Sequence, residues 1–290
     1  MLATLKEVLE KAEQGNYAVG AFNCTSLESG MAIVKTAEEL NSPVILQYAD
    51  SHRHLISIDV IGPIMLQLAK IAKVPVVVHL DHGASIESCR HAVDMGFTSV
   101  MYDASAKPFE DNVAETRSVV EYAHERGASV EAELGHILTS KAGAAEGNGK
   151  SYTREEAYTD PEMAKEFIER TNVDALAIGF GTAHGIYTEK PVLDLNRIAL
   201  IKSAKDIPYV MHGGSGLSEE EYRTAIHNGI RKINYYTYLS LAGGRGVMQY
   251  LEDKKDKDAI YFEDIAKAGI TAMKADVKRA MKIFESDGKI

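Results

Sequence analysis

Short apolar runs recur along the chain at 17–22, 43–47, 75–80, 99–102, 129–133, 175–179, 208–211 and 231–235. Their length and their content of Val, Ile and aromatic residues predict buried strands. Between them, 28–40, 86–95, 113–126 and 219–228 place apolar residues three and four apart, the spacing of one helical face. Start signals agree with this reading. Ser218 and Glu221 have capping-box spacing, and Asp160 precedes Pro161 as a cap precedes a first-turn proline. Thr4 and Glu7 repeat the box, and Leu5, Val8, Leu9 and Ala12 share a face, so the N-terminal segment predicts an amphipathic helix, not a signal peptide. A longer amphipathic helix is expected over 261–284. Alternation of strand and helix predicts a parallel sheet. Eight such units predict closure into a (β/α)8 TIM barrel, one α/β domain over 1–290 with a C-terminal helical extension. The open doubly wound alternative normally carries a glycine-rich fingerprint after its first strand, and none is present.

Three apolar runs lead to a histidine followed at once by glycine: Asp81-His82-Gly83, Ala183-His184-Gly185 and Met211-His212-Gly213-Gly214. Three imidazoles this far apart in sequence converge only if their strands lie side by side. Converged, they form a cup with one coordination position open, the arrangement that holds catalytic zinc. The carboxyl rim of such a barrel, where active sites lie, would also carry Asn23, Gln47, Asp81, Asp103, Glu131, Glu133, Ser215 and Asn234. Asp81 can serve proton transfer or orient an imidazole. Glu131 and Glu133 alternate along one strand and face the same side, so they need a cation or donors. With Asp103 they support the ligands or offer a second metal position.

The other histidines read differently. His79, inside a strand, is expected to be a buried, hydrogen-bonded imidazole, and His91, His124 and His227 belong to helix faces. His52 and His54 follow the second strand among polar residues and make a weaker metal pair. Gly213-Gly214-Ser215-Gly216 leads into the helix capped by Ser218, a combination that favours an anion. Gly243-Gly244-Arg245-Gly246 is a second candidate anion loop, and the Gly- and Ala-rich 140–151 stretch a loop over the barrel mouth.

Composition narrows the partners. The 290 residues are 45% hydrophobic, enough for one large core, and the net charge of -10 with no long basic run disfavours nucleic acid and anionic membrane. Cys24 and Cys89 are isolated, as in a reducing compartment, and no segment reaches the roughly 18 apolar residues of a membrane span. A cytoplasmic protein is expected.

Taken in order, the motifs His79-Leu80-Asp81-His82-Gly83, Glu131-Ala132-Glu133-Leu134-Gly135, Gly181-Thr182-Ala183-His184-Gly185, His212-Gly213-Gly214-Ser215-Gly216 and Lys232-Ile233-Asn234 resemble the class II, metal-dependent ketose-bisphosphate aldolases. Ala21-Phe22-Asn23 and Pro108-Phe109-Glu110-Asp111-Asn112 match as well. The resemblance implies Zn2+ on His82, His184 and His212, and Asp81 as the acid/base at the hydroxyl beside the bond that breaks. It places the dihydroxyacetone-phosphate end near Gly185, Gly213, Ser215, Asn234 and Thr237, with a monovalent cation (Na+ or K+) by the phosphate. It implies Glu146, the only acid in 140–151, as the base that exchanges the donor's carbon-bound proton. A homodimer or homotetramer acting on a small sugar phosphate is expected.

The departures fall on the aldehyde side. Tyr236 stands where a family residue contacts sugar hydroxyls, Ser240 where a basic residue often helps hold the distal phosphate, and Gln47-Tyr48-Ala49-Asp50 is unusual after the second strand. Arg245 could restore a phosphate contact. A Schiff-base lysine fails on position, because Lys232 lies at the start of its strand and no lysine ends another. A barrel metallohydrolase and a non-catalytic sugar-phosphate-binding protein are the competing readings.

Overall fold

A computed structural model describes residues 1–139, 153–187, 189–254 and 259–290. Eight strands form the barrel: β1 (Val19–Asn23), β2 (Val44–Ala49), β3 (Val76–Gly83), β4 (Ser99–Tyr102), β5 (Ser129–Leu134), β6 (Ala175–Ile178), β7 (Tyr209–Met211) and β8 (Ile230–Tyr235). Each pairs in parallel with the next, and β8 returns to β1, which closes the TIM barrel. Helices lie between the strands, and the capping boxes at Thr4 and Ser218 and the Asp160 cap form as the spacing predicts.

Side chains two apart along each strand share a face. Toward the amino ends, Val19, Ala21, Ile45, Val77, Ala175, Ala177 and Val210 form one apolar cluster. The helix Leu5–Gly15 closes that end by burying Leu5, Val8, Leu9 and Ala12 against them. Each fully buried leucine is worth about 1.5–3 kcal/mol. The opposite faces of the strands, Leu46, Val78, Leu80, Val130, Leu176 and Tyr209 among them, pack beneath the surrounding helices. Moving up the same interior face, apolar residues give way to polar ones: Ile45 to Gln47, Val77 to His79 and Asp81, Val210 to His212. The barrel is thus sealed at one end and polar at the other.

The C-terminal helix Phe262–Ile283 packs on Thr237–Asp253 and Leu27–Leu40. Phe284 then wedges between Tyr222 and Tyr235, with ring centroids 5.2 and 6.1 Å away. Its carbonyl accepts the Ala18 amide at 3.0 Å and ties the tail to the start of β1.

One expectation is overturned. Gly243-Gly244-Arg245-Gly246 is the interior of the helix Thr237–Asp253, not an anion loop, so its amides belong to the helix ladder. Two of its glycines let the C-terminal helix approach. A Cβ at Gly246 would lie 2.4 Å from the Ala272 Cβ, and one at Gly243 would lie 3.1 Å from the Met273 side chain. Among the described residues, no helix is long and apolar enough to cross a membrane. Glu146 and the 140–151 stretch lie outside the described residues.

Candidate active site

His82, His184 and His212 converge at the carboxyl end of the barrel, each offering a ring nitrogen within 4.8 Å of the others. They arrive by different routes. His212 directly follows β7. His184 lies six residues past the end of β6 and is carried back by a two-residue strand, Ala183–His184, paired with Leu138–Thr139. His82 lies within β3 in a left-handed conformation, φ 47°, at a register shift between Leu80 and Gly83. A non-glycine residue seldom adopts that conformation, and such strain collects at functional sites. Here its effect is geometric. Adjacent strand residues normally face opposite ways, yet Asp81 and His82 line one cavity.

Neighbouring carboxylates decide which nitrogen each ring offers. The Nδ1 of His82 donates to Asp103 Oδ2 at 2.9 Å, which leaves Nε2 facing the cup. The Nε2 of His212 donates to Glu131 Oε1 at 2.9 Å, which leaves Nδ1. That Nδ1 is buried without a hydrogen-bond partner, 3.3 Å from an equally unpartnered Glu133 Oε2. Buried polar atoms are rarely left so, and a cation between three imidazoles satisfies them. The donor set therefore fits a divalent metal of the zinc type. His82, Asp103 and Glu133 form a second cluster with the same spacing, which shares His82 with the first. Asp103 is further held by Ser105, whose hydroxyl donates to Oδ1 at 2.7 Å.

Asp81 sits beside the cup, 3% exposed. Gln47 Nε2 donates to its Oδ2 at 3.1 Å and Asn234 Nδ2 to its Oδ1 at 2.9 Å. Burial opposes its charge, but His82 first, then Lys232 and His212, outweigh burial and hold the carboxyl far below the usual range. The same contest, won by the carboxylates Asp81 and Asp103, holds His82 well above an ordinary histidine. His212 is likewise raised, against burial, by Glu131 and Glu133.

Below this layer lies a pair whose importance sequence reasoning missed. Lys232 and Glu131, both fully buried, meet at 2.7 Å between Nζ and Oε2. Burial works against the carboxylate, yet Lys232 and the His212 hydrogen bond hold Glu131 at about 2. His79 donates or accepts through Nδ1 at Ser99 Oγ, 2.8 Å away. Burial and then Lys232 lower its pKa to about 3, so it stays neutral, the satisfied imidazole the sequence predicts. Alternation along two strands contained the Lys232–Glu131 pair in principle: both residues sit two below a rim residue, Asn234 and Glu133.

A cavity of about 180 Å³ opens at this site, lined by His82 and His184. Asn23, Asp81, Asn234, Gly185, Gly213, Ser215 and Thr237 also line it. Gly213 has φ 63°, and a Cβ there would strike the Ala183 backbone at 2.6 Å, so only glycine lets these loops approach. Tyr187 joins them, accepting the Ala183 amide and donating to the Gly213 carbonyl, each at 2.8 Å. Gln47, expected at the substrate, is fully buried behind Asp81 and also donates to Asn23 Oδ1 at 2.9 Å. The helix start at Ser218 answers its own amides through its capping box and carries Glu219, Glu220 and Glu221 in its first turn. An anion is better served by the start of the helix Thr237–Asp253, which has no side-chain cap.

Ser51 and His52, in the turn Asp50–His54 after β2, and Tyr236 also line the cavity. His52 packs on the Tyr236 ring, centroids 4.6 Å apart, so it is a cavity residue rather than half of a metal pair. Its position three residues past the end of β2 was the available signal. His91, His124 and His227 pair with Asp59, Asp174 and Glu285 on the outside, as expected. A wider crevice of about 930 Å³ between the helices Phe109–His124 and Pro161–Thr171 carries surface ion pairs such as Arg170–Glu110 and none of the converging residues.

A family model described as Fructose-bisphosphate aldolase class-II matches residues 3–289. The chain is 41% identical to a fructose-bisphosphate aldolase of Geobacillus stearothermophilus, over 99% of this chain and 98% of that one. It is 39% identical to a fructose-bisphosphate aldolase of Staphylococcus aureus strain Mu50, over 88% of each. The crystal structure of the YdjI aldolase from Escherichia coli K12 superposes with a TM-score of 0.85 at 35% identity, covering 100% of this chain and 99% of that one.

Proposed function

The chain belongs to the class II fructose-bisphosphate aldolase family, and we propose that it is a zinc-dependent enzyme that cleaves a ketose 1-phosphate or ketose 1,6-bisphosphate reversibly to dihydroxyacetone phosphate and an aldehyde. Fructose- and tagatose-type bisphosphates belong to that class. Convergence of His82, His184 and His212, two of which line one cavity with Asp81, carries the reading.

The three imidazoles hold the ion. When bound, it acts as a Lewis acid and offsets negative charge on the donor half, a contribution of several kcal/mol. Asp81, ionised and gripped at both oxygens by Gln47 and Asn234, takes the proton from the hydroxyl next to the breaking bond. The carbon–carbon bond then breaks, its electron pair stays with the donor carbon, and the aldehyde carbonyl forms. Protonation of that carbon, assigned to Glu146, completes dihydroxyacetone phosphate. Gly185, Gly213, Ser215 and Thr237 receive the donor phosphate, with Na+ or K+ beside it, and Asn23 holds the carbon chain. Residues 1–290 act as one cytoplasmic catalytic domain. Exposed Met248 and Phe262 on the two C-terminal helices, with Tyr261 just before the second, support a homodimer or homotetramer.

The direct test is exchange chemistry. Dihydroxyacetone phosphate incubated with the metal-loaded protein in D₂O should lose a carbon-bound proton. A substrate adduct trapped by borohydride, with turnover that survives chelation, would overturn the reading.

A second expectation concerns protons. His82 and His212 are raised above 6.5 in the metal-free protein, so an incoming ion must displace their protons. Calorimetry in buffers of different ionisation enthalpy should record proton release on zinc binding near pH 7, with affinity rising as pH rises. The stability these two imidazoles give the metal-free protein is complete below 6.5 and is lost as pH climbs through their raised folded values. Raising pH should therefore weaken the metal-free protein through these groups while it strengthens metal binding.

A further inference from the structure

We infer that the aldehyde half of the substrate is a neutral polyhydroxylated aldehyde, recognised by Tyr236 and His52, and that a terminal phosphate on that half is selected against. This rests on the reading of the site as an aldolase.

The lining of the cavity is of two chemical kinds. Gly185, Gly213 and Ser215 present loop backbone, and Thr237 begins a helix, as an anion requires. Ser51, His52 and Tyr236 present hydroxyl and imidazole groups that donate and accept hydrogen bonds without a fixed positive charge. A phosphate dianion is held best by arginine, lysine or converging amides. No arginine or lysine lines the cavity among the described residues. Arg53, in the same turn as His52, is engaged elsewhere: its Nη2 lies 2.5 Å from Asp50 Oδ1, and its side chain is 66% exposed.

Asp50 is buried and holds this turn in place: its Oδ2 accepts the Ala84 amide at 3.2 Å and pins the turn carrying Ser51 and His52 against the end of β3. Tyr236 is anchored in turn by its own amide, which donates to Ser215 Oγ at 3.3 Å. The two rings lean on each other, so the wall is built and not merely adjacent. A chain of hydroxyls can thread between Asn23 and this pair, and each hydroxyl finds a donor or an acceptor. A dianion there would meet two rings and, among the described residues, no lysine or arginine.

Condensation kinetics with the full-length zinc-loaded protein test this. Dihydroxyacetone phosphate is offered with glyceraldehyde, erythrose, threose, propionaldehyde and glyceraldehyde 3-phosphate. The best neutral hydroxyaldehyde should exceed glyceraldehyde 3-phosphate in kcat/KM by about tenfold or more. Within one variant, the ratio of glyceraldehyde to propionaldehyde isolates the hydroxyl contacts, because both aldehydes meet the same donor complex. Tyr236→Phe should reduce that ratio about fivefold, the worth of one hydrogen bond, through KM rather than kcat. His52→Asn provides a second variant if Tyr236→Phe does not fold.

Preference for glyceraldehyde 3-phosphate, with turnover intact, overturns this inference and leaves the aldolase reading standing. A ratio unchanged in the folded variants overturns the assignment to Tyr236 and His52. No condensation with any aldehyde, together with no deuterium exchange, overturns the aldolase reading and this inference with it.

Discussion

Replacing Asp81 with Asn is expected to lower kcat for cleavage by about 10²–10⁴-fold, the usual worth of a positioned acid–base group. The substitution keeps the shape and removes the ability to take a proton. Its structural cost is smaller and can be foreseen. Gln47 and Asn234 each donate to a different oxygen of Asp81. An asparagine offers one oxygen and one NH₂, so one of the two amides loses its acceptor, at about 1–3 kcal/mol. Turning over the Gln47 amide would repair that contact and break its bond to Asn23. Exchange of the donor's carbon-bound proton separates the two effects. Asp81 handles a hydroxyl proton, so exchange should persist in Asp81→Asn while cleavage fails. Loss of both to the same degree would mean that Asp81 merely supports the metal site.

Lys232→Met is expected to destabilise the protein by about 3–5 kcal/mol, because it leaves a buried carboxylate without its cation. Lys232 and Glu131 are both wholly excluded from solvent, and neutral His79 cannot replace the lysine. The pH dependence carries the sign. In the native protein Glu131 titrates at about 2, below its usual 4.5. Its stabilising contribution is present above 4.5 and is lost as pH falls toward 2. Without Lys232 the folded value rises, because the His212 hydrogen bond is left to oppose burial with less help, so less of that contribution remains and its loss begins at higher pH. Denaturant midpoints between pH 4 and 8, compared with the double variant Lys232→Met/Glu131→Gln, measure this. A double variant no more stable than Lys232→Met at neutral pH would show that the lost packing, not the stranded charge, sets the cost.

The two-residue alternation of Val77, His79 and Asp81 is visible in the sequence, and so is the change from apolar to polar along it. With eight strand–helix units this determined a barrel polar at one end. The histidine–glycine endings marked where the metal cup would lie, and His82, His184 and His212 do converge there. Gly243-Gly244-Arg245-Gly246 misled because glycine signals a loop in isolation, whereas here it admits a neighbouring helix. His52 was undervalued because nothing local indicates that Tyr236, 184 positions later, will lie against it.

Periodicity and capping are local, set by neighbours within a few residues, and the sequence determined them: the strands, the helix starts, the face of each side chain and the residue types able to hold a metal. Distances between strands are set by barrel closure, which no short window contains. Only the tertiary structure decided that His82 turns through a left-handed bend to join Asp81, that Asp103 and Glu131 choose the nitrogens offered, and that Gln47 lies behind Asp81. The physical reason is common to all three. A buried polar atom takes its role from whichever partner closure brings within about 3 Å of it, and that partner is usually far away in the chain.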